Sequence, residues 1–174
     1  MYRLFRVMVV SLSLSLSLSW TAPAFAVDFS GTWALDVNAS GSMDPILELQ
    51  GVSWARRKLA ERLDARVRIT QVGDRLTAVY DNVLGKQEQV LVFDGMPHET
   101  VNPAGIATTF STSWRDGETR LVSSGPCTSD EGATSTLTET RTLSADGMTL
   151  TLMLQVSTAD GRKASATRIL RKAP

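Results

Sequence analysis

One cysteine and one histidine among 174 residues leave this chain little with which to hold a metal or run redox chemistry. Cys127 has no second thiol to pair with, so no internal disulfide can form. It sits in Ser124-Gly125-Pro126-Cys127-Thr128, which reads as a loop. His98 lies alone in the turn-like stretch Gly95-Met96-Pro97-His98-Glu99, without cysteine or acidic partners at zinc-ligand spacing. Neither sign of charge dominates: eighteen basic residues face eighteen acidic ones, with no basic run longer than Arg56-Arg57-Lys58. That balance gives no electrostatic reason to expect nucleic acid or an anionic membrane as partner. The nucleophile elbow Gly-x-Ser-x-Gly, the phosphate loop and the dinucleotide fingerprint are all missing. No cofactor is expected.

Apolar runs are also short. The longest, about fourteen residues from Val7 through the Ser-Leu repeat Ser11 to Leu18, falls below the roughly 20 that a spanning helix needs. Arg3 and Arg6 precede it, and Ala24-Phe25-Ala26 closes it with the small-x-small pattern that signal peptidase reads. Residues 1–26 are therefore expected to be a signal peptide cut after Ala26, with an uncleaved anchor as the alternative. The expected destination is the periplasm or the medium. Removing 26 of 174 residues leaves Val27 to Pro174, 148 residues forming one expected domain, with sixteen basic against eighteen acidic groups.

What is abundant is strand and turn. Asp-Gly recurs at Asp94-Gly95, Asp116-Gly117, Asp146-Gly147 and Asp160-Gly161, and Gly73-Asp74 and Gly85-Lys86 add two further turn signals. Asp-Gly supplies the positive φ angles that tight hairpins demand. Between the turns lie Thr-, Val-, Leu- and Ile-rich segments at 65–72, 75–80, 87–93, 106–114, 118–123, 134–143, 148–157 and 163–171. Phe29 to Val37 and a weaker segment around His98 to Val101 bring the count to about ten. Strands so regular, without crossover helices, predict a mainly β chain. They form an antiparallel up-and-down meander that hides its edges by closing into a barrel. A two-sheet sandwich is the alternative.

One segment has helical character. Asp44-Pro45 pairs a capping acid with proline at the first helical position, and Ile46, Leu47 and Leu49 follow before Gly51. Ser53 can cap a second helix through Trp54, Leu59 and Leu63, with Trp54 packed beneath it. A helix-turn-helix thus falls between the first and second strands, most naturally as a lid across one end of the barrel.

Several motifs, in order, resemble those of the lipocalin and fatty-acid-binding-protein (calycin) superfamily. Phe29-Ser30-Gly31-Thr32-Trp33 resembles the Gly-x-Trp signature whose tryptophan plugs the closed end. Met43 to Lys58 resembles the helical lid of the fatty-acid-binding proteins, and Gln71-Val72-Gly73-Asp74-Arg75-Leu76-Thr77 their first hairpin. Ser113-Trp114-Arg115-Asp116-Gly117, Thr140-Arg141-Thr142-Leu143 and Thr167-Arg168-Ile169-Leu170 continue the match. Exported bacterial lipocalin-like chains share the same opening and the Ser144 to Leu150 type of hairpin. The resemblance implies a non-catalytic binder or carrier of a small hydrophobic ligand, a fatty acid or other lipid-like molecule. Arg141 and Arg168 match the two arginines that hold the ligand carboxylate, while Leu170 stands where the family places tyrosine, so the headgroup triad is incomplete. Met43, Ile46 and Leu47 match lid positions that touch ligand.

The residues themselves add parity. An inward Arg168 puts Ala164, Ala166 and Leu170 on the same face, small and apolar. Leu150, Leu152, Leu154 and Val156 form an aliphatic stripe, which serves either as core or as cavity lining. Arg141 shares its strand face with Glu139 and can pair with it instead of a ligand. Two other functions stay open. One is an envelope interaction or accessory protein with a filled barrel, presenting the long 123–133 loop. The other is a barrel isomerase or cyclase.

Overall fold

Ten strands and two short helices follow one another in a computed structural model that describes residues 26–60, 66–82, 85–101, 106–128 and 134–174. β1 (Gly31–Leu35) leads into α1 (Asp44–Leu49) and α2 (Trp54–Ala60). Strands only come after these: β2 (Arg66–Val72), β3 (Arg75–Asn82), β4 (Gly85–Val92), β5 (Pro97–Val101), β6 (Ala107–Arg115), β7 (Arg120–Thr128), β8 (Thr134–Leu143), β9 (Thr149–Thr158) and β10 (Lys163–Lys172). Of the expected signal segment only Ala26 falls among the described residues, and the expected second-helix positions at 61–63 fall outside them.

Turn chemistry places the reversals as expected. Asp116, Gly117 and Glu118 take φ of 51°, 63° and 66° in the loop between β6 and β7, the positive angles that an Asp-Gly turn admits. Each strand runs antiparallel to its sheet neighbours in the order β4-β3-β2-β1-β10-β9-β8-β7-β6-β5. Pairing of the first strand with the last, Trp33 opposite Lys172 and Leu35 opposite Leu170, wraps the meander into a nearly closed barrel. The sandwich alternative is thereby set aside. The two ends of the sheet, β4 and β5, meet at a seam. There the Val90 N–H donates to the Thr100 hydroxyl oxygen at 3.1 Å in place of a backbone ladder.

β7 corrects one boundary. Gly125-Pro126 reads as a break, yet the strand continues to Thr128 in register with β8, Cys127 opposite Ser135. A side chain at 125 has no room, because a Cβ there would lie 2.0 Å from the Thr109 carbonyl oxygen. Glycine in this strand marks a close approach of two backbones rather than a loop. Most of the expected 123–133 loop is therefore strand, and residues 129–133 lie outside the described segments.

Apolar side chains gather at two levels. One end of the barrel is plugged by Phe29, Trp33, Leu76, Phe93, Phe110, Leu121, Leu150 and Leu170. Trp33 is wholly buried and its indole N–H donates to the Phe29 carbonyl at 3.0 Å, so its one polar atom is satisfied. Trp114 stacks on Phe29 at 5.8 Å and meets Phe93 edge-on at 5.4 Å. At the other end Ile46 of α1 sits on Val156 and Ala166, with Met43, Leu49, Leu154 and Ala164 around it.

Candidate functional site

The lid is held by its own ion pairs. Asp44 does not cap α1 through its side chain; its carboxylate accepts from Arg57 Nε of α2 at 3.0 Å. Arg57 also donates to the Val52 carbonyl at 3.3 Å, so one guanidinium ties both helices and their linker. α1 ends in a Schellman arrangement, with Val52 N–H to Leu47 C=O and Gly51 N–H to Glu48 C=O, both at 2.9 Å. Trp54 does not pack beneath α2: it is 66% exposed.

Strand parity and register define the interior between plug and lid. Neighbouring inward residues make two rows across β6–β10: Thr112, Ser123, Glu139, Leu154, Ala166, and Trp114, Leu121, Arg141, Leu152, Arg168. One wall is aliphatic. Leu152 and Leu154 point inward with strands on both sides, yet each keeps partial accessibility. An inward side chain flanked by strands gains that accessibility only from the barrel's interior or mouth.

Beside it lies a polar wall. Arg141, 1% exposed, donates through Nη2 to Glu139 Oε1 at 2.8 Å and to Gln89 Oε1 at 3.1 Å. Tyr80 donates its hydroxyl to the same Gln89 oxygen at 3.2 Å. Thr112 donates to Ser123 Oγ at 2.9 Å, both side chains buried. Among the described residues two sealed donors, Gln89 Nε2 and Arg141 Nη1, have no partner, and each such orphan costs about 1–3 kcal/mol. Burial pushes the Tyr80 phenol up to about 12. Burial alone would depress the Arg141 guanidinium, but the Glu139 carboxylate and the Tyr80 hydroxyl together outweigh it and the net shift is upward. Nearer the lid, Arg168 donates to the Gly41 carbonyl at 3.0 Å, and burial lowers its pKa.

The expected site residues thus separate. Arg141, Leu152 and Leu154 come together with Glu139; Arg168 shares the row of Arg141 and Leu152 but turns toward the segment leading into α1. Met43 and Ile46 meet the barrel, whereas Leu49 rather than Leu47 joins them in that contact. Leu170, 5% exposed, belongs to the plug. Gln89, Tyr80, Thr112 and Ser123 were not legible in the sequence, because only register distinguishes an inward Thr or Gln from a solvent-facing one. His98 lies in β5, where the weaker strand from His98 to Val101 was expected, and not in a turn; its Nε2 is 2.8 Å from Asp94 Oδ2. Among the described residues no group of three His, Cys, Asp or Glu is placed to hold a metal ion. No helix there is long and apolar enough to cross a membrane.

No protein-family description matches the chain. No curated protein matches it in sequence. Solved structures do match. A fatty-acid-binding protein of Schistosoma mansoni in complex with arachidonic acid is 20% identical, with a TM-score of 0.63 over 84% of this chain and 96% of its own. Echinococcus granulosus fatty-acid-binding protein 1 is 17% identical, with a TM-score of 0.64 over 87% and 98%. Zebrafish ileal bile acid-binding protein complexed with cholic acid is 18% identical, with a TM-score of 0.65 over 83% and 98%. At these identities the likeness is one of architecture: this chain has the fold of the fatty-acid-binding proteins.

Proposed function

We propose that the protein binds and carries a small hydrophobic ligand inside its barrel, without catalysis. The observation that carries this reading is the pair Leu152 and Leu154, inward yet still accessible between a plugged end and a helical lid. The fold neighbours support it, being binding proteins for fatty acids and bile acids. Burying ten methylenes at roughly 0.8 kcal/mol each supplies on the order of 8 kcal/mol, enough for micromolar affinity before ordering costs. Arg168 and the lid residues Met43 and Ile46 are assigned to the ligand's path, Arg141 to its buried end.

The test is displacement of a fluorescent fatty acid by unlabelled lipids, together with native mass spectrometry of protein purified from its own host. Displacement, or a co-purifying lipid mass, supports carriage. Neither, with Leu152 and Leu154 substitutions silent, would point to the filled-barrel interaction protein instead. Export is part of the same reading: the chain released from its host begins at Val27, a mass that intact-protein spectrometry reads directly.

A further inference from the structure

We infer that the buried end of the ligand is an uncharged oxygen acceptor, the carbonyl of an ester, amide or ketone, rather than a free carboxylate. The inference rests on the carrier reading and names its ligand class. Its first ground is donor arithmetic. Both orphaned atoms on the polar wall, Gln89 Nε2 and Arg141 Nη1, are N–H donors, and their residues are each 1% exposed. They belong to side chains already joined at 3.1 Å, Arg141 Nη2 to Gln89 Oε1, and an acceptor oxygen has two lone pairs with which to meet such donors.

The second ground is charge. The Arg141 guanidinium is already neutralised by Glu139 at 2.8 Å, and Glu139 itself is 4% exposed. The remaining groups of the wall, Gln89, Thr112, Ser123 and a Tyr80 phenol held protonated, carry no charge. A carboxylate placed here would set two anions beside one cation in a site sealed from water, an arrangement that like-charge repulsion disfavours. A carbonyl meets the same two donors without adding charge. The apolar neighbours fit a chain leading away from it: Leu152 stands opposite Arg141 and Leu154 opposite Glu139. Arg168 makes no ion pair among the described residues, so it gives an acid only a second, shallower station under the lid.

The experiment compares three twelve-carbon probes on the full barrel from Val27 onward: methyl dodecanoate, dodecanoate and dodecane, each by displacement of one fluorescent reporter at pH 7.5. The expected order is ester tightest, roughly tenfold or more ahead of the other two, the scale of one charge-assisted hydrogen bond. Glu139→Gln, which keeps an oxygen for Arg141 but removes the negative charge, should raise dodecanoate affinity by a similar factor and leave the ester unchanged. Arg168→Ala should weaken only dodecanoate. Should dodecanoate match or exceed the ester in the unaltered protein, the headgroup inference falls while carriage stands. An ester no better than dodecane also overturns it, since the donors would then go unused. Binding of none of the three removes the carrier reading as well. If Glu139→Gln does not fold, as its melting curve would show, the comparison in the unaltered protein still decides.

Discussion

Arg141 Nη2 lies 2.8 Å from Glu139 Oε1 inside the barrel, two residues apart on one strand and facing the same way. Such a pair stabilises less than its geometry suggests, because both ions gave up water, but its halves depend on each other. Arg141→Met alone, or Glu139→Leu alone, should cost about 3–5 kcal/mol by leaving one charge buried without a partner. The double substitution should recover most of that loss. Urea denaturation of all four proteins gives the coupling directly, and additive losses would mean that the two side chains do not act as a pair.

Tyr80 gives the polar wall a pH signature. Its phenol sits at about 12 in the fold against 10.0 for the free side chain, raised chiefly by burial. The unfolded chain therefore loses this proton first, and binds fewer protons than the folded one across that interval. Stability is fully present below pH 10 and falls as pH rises through 12, by on the order of 3 kcal/mol. Tyr80→Phe should remove that slope. The sequence has two tyrosines, and the other is Tyr2, so a chain starting at Val27 reports Tyr80 alone in its tyrosinate absorbance. A midpoint near 10 would place the phenol in water.

The barrel was readable because its rules are local. Asp-Gly at 116–117 forces a reversal wherever it falls, and Thr134 to Leu143 is a strand on composition alone; both occur where expected. The lid was readable by its order, Asp44-Pro45 through Gly51, although Asp44 serves as a latch to Arg57 rather than a cap. What escaped depends on register. β6 reads Ala-Thr-Thr-Phe-Ser-Thr-Ser-Trp-Arg, and nothing in that string says that Thr112 faces inward while its neighbours do not. Gln87, Glu88 and Gln89 look alike in sequence, but register turns Glu88 to the outer face, and of the two glutamines on the inner face it is Gln89, paired with Ala78, that Arg141 reaches. Trp54 misled for a related reason: its place on the second helix suggested burial, and only the lid's seating shows that it faces out.

Gly125 should tolerate no side chain. An added Cβ would stand 2.0 Å from the Thr109 oxygen and 2.4 Å from Phe110 Cδ1, one contact with backbone and one with the buried plug. Neither can move without separating β6 from β7. Gly125→Ala should therefore cost about 1–3 kcal/mol or more, the range of overpacked cores. Gly117→Ala gives the contrast: it meets no atom within 4 Å, so its only penalty is a φ of 63°. Melting curves that order the two the other way would mean that β6 and β7 separate freely at this point.

Cys127 offers a way to watch the lid. Its thiol accepts from Gln50 Nε2, just past the end of α1, at 3.0 Å, and burial raises its pKa. Both effects slow reaction with thiol reagents, which require the thiolate. The lid's own latch is Arg57 to Asp44 at 3.0 Å, partly exposed and so contributing at most about 1 kcal/mol. Asp44→Ala should therefore hardly move the melting temperature. Yet it loosens α1 from α2, leaving Arg57 with the longer 3.8 Å pair to Glu48, and every opening of α1 that carries Gln50 away uncovers the thiol. Cys127 should then react several-fold faster in Asp44→Ala than in the unaltered protein, and bound lipid should slow both by holding Ile46 and Leu49 against the barrel. Equal rates in the two proteins would mean that α1 stays seated without its latch, and that ligand must pass by another opening, of which the β4–β5 seam is the candidate.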